Sequence, residues 1–473
     1  MAARGLATGG KKSAAELVTL LSSDVATVTL SSEERIAYLD ELKVYSRTPA
    51  AARPIYSSKA IATLCRLALY HPCLKTNLGA FRVLANATLM KAETRQMIVD
   101  QGSAHRLCKA LEFKSWEQEF LVCRILLILT YNTTLDFRVL IDEHHLAQRM
   151  IENVARHAKA LSGKNKANVD PMQGMALAET MKLLFNVCHF NNGPAHIEAF
   201  APTVPHIVTL LVEQDTITSK PLDPPLGTMI NALLNLDLAT DPSKRALYPE
   251  NDPNSVASKL IDLLDLCLSG KYSSHDLDVV VAPVTHLVRL VYTNAPDDTK
   301  EFLRGRLLPN DEDRKEVLGH GQGKTLSAKL LKQAANADTA MSKGVCHLLF
   351  EASDKDAQKF IDNVGFGLAS GFLFQENIPV PESFAKGEST GNATGQRPIN
   401  PITGQFIDAE KHVEIPEMSQ EEKEREAERL FVLFERLKKT GIVDIQNPVE
   451  AAMREGRYRE LKDDEVEEVD DDE

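Results

Sequence analysis

The chain has 473 residues, 43% of them hydrophobic, and a formal net charge of −13. That length exceeds one compact core, so it calls for several domains or a one-dimensional array, and with no apolar run approaching the ~18–20 residues of a membrane span a soluble protein is expected. Residues 463–473 hold nine carboxylates and no base, leaving only −4 on the rest, which excludes the basic excess of a nucleic-acid binder.

Met1–Lys12 is small and basic and has no apolar signal core, and no lipidation box closes the chain, so a disordered start (1–12) and a cytoplasmic home are expected. Helical periodicity then runs from about Ser13 to about Phe374, and alternating β-branched runs with hairpin turns are hard to find. Residues 13–376 therefore read as an all-α, armadillo/HEAT-like α-solenoid. Lys43 and Arg47 stand four apart on an early helix. An apolar helix carrying an amide, usually with a base one turn earlier, then recurs about every fifty residues. Its copies are Ala80–Leu89 with Arg82 and Asn86, Cys123–Asn132 with Arg124 and Asn132, Leu177–Cys188 with Lys182 and Asn186, Thr228–Leu236 with Asn231 and Asn235, and His286–Asn294 with Arg289 and Asn294.

In three copies the polar pair is four apart and shares one side of the helix, opposite a core stripe such as Met181, Leu184, Phe185 and Cys188. Stacked, such units bury one face and turn the other into a long groove. Two readings of the stripe stand side by side. Asparagine near a helix end can simply cap carbonyls and a base beside it can simply be solvated. Alternatively, amides offered to a peptide backbone and cations offered to carboxylates make a groove for an acidic or carboxylate-ended peptide.

Clusters of Pro, Gly, Asn and Asp predict loops at Thr48–Pro54, Ser162–Gly174, Asp215–Gly227, Thr240–Asn254, Asn294–Asp298 and Leu308–Gly323. From Asn377 to Met418 five prolines, glycines that include Gly387, Gly391 and Gly395, and few apolar residues predict a flexible linker. A helix is expected over 419–440: Ser419 and Glu422 form a capping box, and Leu430, Phe431, Phe434 and Leu437 make an apolar stripe that must rest on the solenoid or on a partner. Residues 441–473 read as a largely disordered, acidic tail.

Candidate chemistry is sparse. Gly319–Thr325 resembles a phosphate loop but has three residues, not four, between its first glycine and Gly323-Lys324, and follows a charged loop rather than a strand. Gly365–Gly371 is one residue too long for a dinucleotide fingerprint and reads as a sharp turn opening a helix. His144 and His145 are adjacent and cannot chelate one metal from one helix face. The seven cysteines include no Cys-x-x-Cys pair and mostly sit on apolar patterns, as free thiols packed like small hydrophobes. No catalytic site, cofactor or metal is called for.

An ordered set of blocks carries a resemblance: Leu42–Arg47, Leu84-Ala85-Asn86, Cys123–Thr130, Met181–Asn186, Val281-Ala282-Pro283 with Phe302-Leu303 and Leu307-Leu308-Pro309, Lys359–Ile361 with Gly365–Gly367, and Ile399–Gly404 before Met418–Lys423. It is similar to the synembryn family, cytosolic armadillo-like chaperones and guanine-nucleotide exchange factors for heterotrimeric G-protein α subunits. The resemblance implies a monomer that acts by binding, gripping the client's C-terminal helix in its groove with Lys43, Arg47, Asn86, Arg124, Lys182, Asn186 and Asn235, while the helix around Leu430–Leu437 engages the client's nucleotide side. It also implies recruitment to the plasma membrane by that client. Animal members carry an acidic Ser/Thr segment before Asn-Pro-x-Thr-Gly, whereas Glu382–Pro398 has few acids, a departure that puts phosphorylation there in doubt and looks like a fungal branch. A passive scaffold or transport adaptor would fit the periodicity equally well; the linker and capped helix favour the exchange factor.

Overall fold

The computed structural model describes residues 12–381 apart from 113–114, 163–169, 191–192, 319–322 and 337–338. Most of the predicted linker, the 419–440 helix with Leu430, Phe431, Phe434 and Leu437, and the acidic tail lie outside the described residues.

All regular structure among the described residues is helical. The first third holds α1 (Ala14–Thr27), α2 (Ser32–Tyr45), α3 (Ser58–Tyr70), α4 (Leu74–Met90), α5 (Glu93–Asp100), α6 (Ala104–Ala110), α7 (Trp116–Leu129) and α8 (Phe137–Asp142). The middle holds α9 (Leu146–Leu161), α10 (Pro171–Phe190), α11 (Pro194–Phe200), α12 (Val204–Glu213), α13 (Leu226–Leu233), α14 (Asp241–Leu247), α15 (Ser255–Leu268) and the single turn α16 (Ser274–Asp276). The last part holds α17 (Ala282–Asn294), α18 (Asp297–Leu307), α19 (Asp311–Leu318), α20 (Leu326–Ala334), α21 (Ala340–Ala352), α22 (Ala357–Val364) and α23 (Phe366–Gln375).

Local chemistry sets these bounds. Ser13 and Ser31 open α1 and α2 with capping boxes whose partners are Glu16 and Glu34. Val28 in the left-handed region, at φ 51°, ends α1, and the turn is held by a buried ion pair in which Arg35 Nε donates to Asp24 Oδ2 at 2.6 Å. Gly365, at φ 92°, makes the sharp turn that opens α23, where a side chain would be strained.

The helices stack in rows. One runs α2, α4, α7, α10, α13, α17, α21, each packed on the next; α9, α12, α15 and α20 form a second layer beside it. A helix inside such a row touches neighbours on several sides, so α7 and α10 are apolar nearly all round: Val122, Cys123, Ile125 and Leu126 on one, and Met181, Leu183, Leu184 and Val187 on the other, are buried. The arrangement is an α-solenoid, as the periodicity predicts.

Three expectations need correction. Leu308–Gly323 is not all loop: it contains α19, opened by Asn310 and Asp313 capping each other's backbone N–H groups at 2.9 and 3.1 Å. Thr240–Asn254 contains α14, capped by Thr240 with proline in its first turn. Asn, Asp and Pro signal helix starts as well as turns, so their clusters do not distinguish the two. The stretch Pro194–Glu213 does reach 20 residues with mean hydropathy 1.3, long and apolar enough by composition to cross a membrane. It is interrupted by a 3-10 turn at Ala201–Thr203, and Phe200, Val204, Ile207, Leu210 and Leu211 are buried in the core between α9 and α15.

Candidate partner-binding surface

Every polar residue of the predicted stripe falls on, or just beyond, a helix of the α2–α21 row. What each side chain does there differs. Asn86 Nδ2 donates to Ser46 Oγ at 2.8 Å, and Asn186 Nδ2 donates to Thr130 Oγ1 at 2.7 Å. Ser46 and Thr130 are the C-terminal caps of α2 and α7, and each hydroxyl in turn donates to the carbonyl three residues back, Lys43 O at 2.8 Å and Leu127 O at 2.6 Å. An amide on one row helix thus closes the exposed carbonyl end of the helix before it. Asn235, just past α13, extends the series by donating to the Phe185 carbonyl of α10 at 3.4 Å.

Asn132 departs from its predicted place: α7 stops at Leu129, and Asn132 stands beyond it at φ 57°, the left-handed position asparagine tolerates after a helix. Asn294 donates to Leu290 O within its own helix at 2.9 Å, and Asn231 is half-buried on α13.

The cations meet an acidic counter-stripe that the sequence reading missed. Arg82 Nε donates to Glu117 Oε1 at 2.7 Å and Nη1 lies 3.9 Å from Asp40. Arg124 Nη2 and Lys182 Nζ both reach Glu179 Oε1 at 3.0 Å, and the Arg124 guanidinium lies 4.4 Å from the Phe120 ring centre. Lys43 touches Asp40 only at 3.5 Å. Arg47 is exposed, and its guanidinium has no acidic partner among the described residues. Among the stripe cations of α2 to α10 the available positive charge therefore sits at the α2 end; farther along the row Arg289 on α17 meets His286 at 3.2 Å and no acid among the described residues.

Exposed apolar side chains share that edge: Val44 at the end of α2, Leu89 and Met90 at the end of α4, Tyr131 just past α7 and Phe190 at the end of α10, with the last two rings edge to face at 6.3 Å. Their signal in the sequence was proximity to the amides, since Leu89 and Phe190 follow Asn86 and Asn186 by about one turn. Beneath the row, Glu119 is fully buried and accepts from Thr180 Oγ1 at 2.6 Å, from Arg156, and from His157 Nε2 at 2.8 Å, tying α7 to α9 and α10. Thr325 caps α20 and donates to Asp313 at 2.5 Å. Its hydroxyl is thereby committed to the fold, and the preceding element is α19, not a strand.

A helical stack that lines one edge with amide relays, cations and unburied rings is an α-solenoid with a candidate binding edge. The chain belongs to the guanine nucleotide exchange factor synembryn family, whose model matches residues 38–457. Among relatives, a synembryn-like chaperone of Schizosaccharomyces pombe is 27% identical over 72% of this chain and 65% of its own length, and Xenopus laevis chaperone Ric-8A is 23% identical over 86% and 82%. This chain thus spans just under two thirds of the S. pombe protein. Among solved structures, an engineered protein matches 60% of this chain and 97% of its own at 18% identity and a TM-score of 0.40.

Proposed function

We propose that this protein is an exchange factor and folding chaperone for a heterotrimeric G-protein α subunit, whose C-terminal helix it holds along the α2–α10 edge. The observation that carries the reading is the coincidence, on one edge, of exposed Val44, Leu89, Met90, Tyr131 and Phe190 with the open cations Lys43 and Arg47. An amphipathic helix ending in a carboxylate matches it: apolar side chains against the ridge, the terminal charge toward α2. Arg82, Arg124 and Lys182 are already paired with acids and serve such a ligand less; Asn86 and Asn186 have spent a donor on the cap relay, and Asn132, Asn231 and Asn235 border the edge.

Exchange then follows by linkage. A protein that binds the nucleotide-free α subunit more tightly than the nucleotide-bound one weakens nucleotide binding by the same factor, without a catalytic side chain of its own. The same grip shields an apolar helix during folding. The predicted helix carrying Leu430, Phe431, Phe434 and Leu437 supplies a second contact, on the nucleotide side of the client. The protein works in the cytoplasm and is drawn to the plasma membrane by that client.

The test is charge reversal at Lys43 and Arg47 together, with GDP release from the α subunit as readout. Acceleration should fall by roughly tenfold, about 1.4 kcal/mol of lost binding. Undiminished acceleration would remove the α2 end from the interface. Deleting residues 377–473 should spare binding of the client's terminal peptide and abolish exchange, and full exchange by that truncation would eliminate the second contact.

A further inference from the structure

Two neighbouring helices in the first third of the chain expose bases and no acid. On α3 these are Lys59 and Arg66, on α6 they are His105, Arg106 and Lys109, and the 3-10 turn leading into α3 adds Arg53. Lys59 and Arg66 stand two turns apart, about 10 Å along the helix. The two helices pack side by side, and the Arg106 guanidinium lies 5.2 Å from the ring centre of Tyr70 at the end of α3, so the charges form one face. Tyr70 itself is 58% exposed.

The acids around this face are already taken. On the helices packed against α3 and α6, Glu93 pairs with Lys91, Glu117 pairs with Arg82, and Asp142 lies 3.6 Å from His196. Asp24 and Glu119 are buried with the partners described above. Glu16 closes the capping box of α1, and Asp100 accepts from Gln96 on its own helix. Glu112, just past α6, is held by Arg149. None of the bases on the face meets an acid among the described residues.

The arrangement selects among anionic partners. A protein interface is depleted in lysine and fixes its charges in pairs, whereas these long side chains are spread over two helices with nothing to orient them. A nucleic-acid binder needs a basic excess that this chain lacks. A bilayer rich in anionic headgroups requires neither fixed geometry nor a groove: unpaired bases within a Debye length each add attraction, and an exposed tyrosine suits the headgroup level. The face is also distinct from the proposed client edge, whose exposed Val44, Leu89, Met90, Tyr131 and Phe190 belong to the ends of α2, α4, α7 and α10.

We propose that the α3–α6 face is a docking surface for an anionic phospholipid bilayer, which holds this protein at a membrane without its client. The experiment is flotation of the full chain, alone, with vesicles of phosphatidylcholine and with vesicles that contain about 30% phosphatidylserine. Binding should require the anionic lipid and should fall severalfold between about 50 and about 300 mM salt. Arg66→Glu with Lys109→Glu should reduce it by about tenfold or more. The same change of charge at Lys244 and Arg245, exposed on α14, should leave it near wild type. All four side chains lie outside the core, so both variants should fold. Equal recovery with the two kinds of vesicle overturns the proposal, as does equal loss in the two variants, which would trace the attraction to net charge alone. Binding to polyglutamate without binding to the anionic vesicles also overturns it, in favour of an acidic polypeptide.

Discussion

Asn186 on α10 donates its side-chain amide to the hydroxyl of Thr130, 2.7 Å away and 56 positions earlier, at the end of α7. The Asn86–Ser46 bond repeats the relation two steps along the row, between α4 and α2, with hydroxyl and amide in the same roles. The stripe that first suggested a binding surface is thus also the seam between successive row helices.

Two substitutions separate those roles. Thr130 already donates to Leu127 O, so Asn186→Ala removes one hydrogen bond and should cost about 1–2 kcal/mol in urea denaturation. Asn186→Asp buries an unpaired charge at a side chain only 5% exposed and should cost about 3 kcal/mol or more. If the two variants melt alike, the relay contributes nothing to stability.

Beneath the row, Glu119 holds Arg156, His157 and Thr180 together at no exposure. Removing one member of such a group leaves the others uncompensated, so Glu119→Ala should destabilise by about 3–5 kcal/mol, whereas Arg138→Ala, which breaks an exposed pair with Asp136, should leave stability nearly unchanged. Thermal denaturation of both measures the contrast; equal effects would mean that burial does not set the value of these pairs.

The α1–α2 turn makes a pH prediction. Burial alone would raise the pKa of Asp24, but hydrogen bonds from Arg35 and the Leu30 N–H outweigh it and hold the carboxyl below the usual range. A carboxylate with a depressed folded pKa contributes stability that is present above its unfolded value of about 3.9 and is lost as pH falls through the folded one. Wild type should therefore lose its advantage over Asp24→Asn as the solution is taken below about pH 4. A constant difference between the two from neutral to acid pH would show that Asp24 is not the titrating group.

Much of this architecture was legible in the sequence because a solenoid writes its period into the chain: α4, α7, α10, α13 and α17 each fall on a predicted copy. Partners across the row were not. Asp40, Glu117 and Glu179 pair with bases up to 55 positions away, and nothing in the local pattern of Arg82 or Arg124 distinguishes a paired guanidinium from an open one. Helix-capping Asn, Asp and Thr at α14 and α19 look like loop residues in the sequence because the same side chains bond the backbone in both settings.

The exposed ridge allows the proposed surface to be tested without touching charge. Tyr131 and Phe190 are 45% and 55% exposed and meet edge to face, so neither anchors the core, and truncating both to alanine should leave the melting temperature close to wild type. If the client's terminal helix rests on them, desolvated aromatic anchors contribute most of the binding energy, and the double variant should weaken peptide binding by about 2 kcal/mol or more, around thirtyfold in Kd. Phe374→Ala offers the control: an 83% exposed ring at the end of α23, far along the chain from the α2–α10 edge, whose loss should leave the affinity unchanged. Titrating a fluorescent peptide of the client's C-terminus against the variants reads the outcome. Weakening by Phe374→Ala but not by the double variant would move the docking surface to the other end of the stack.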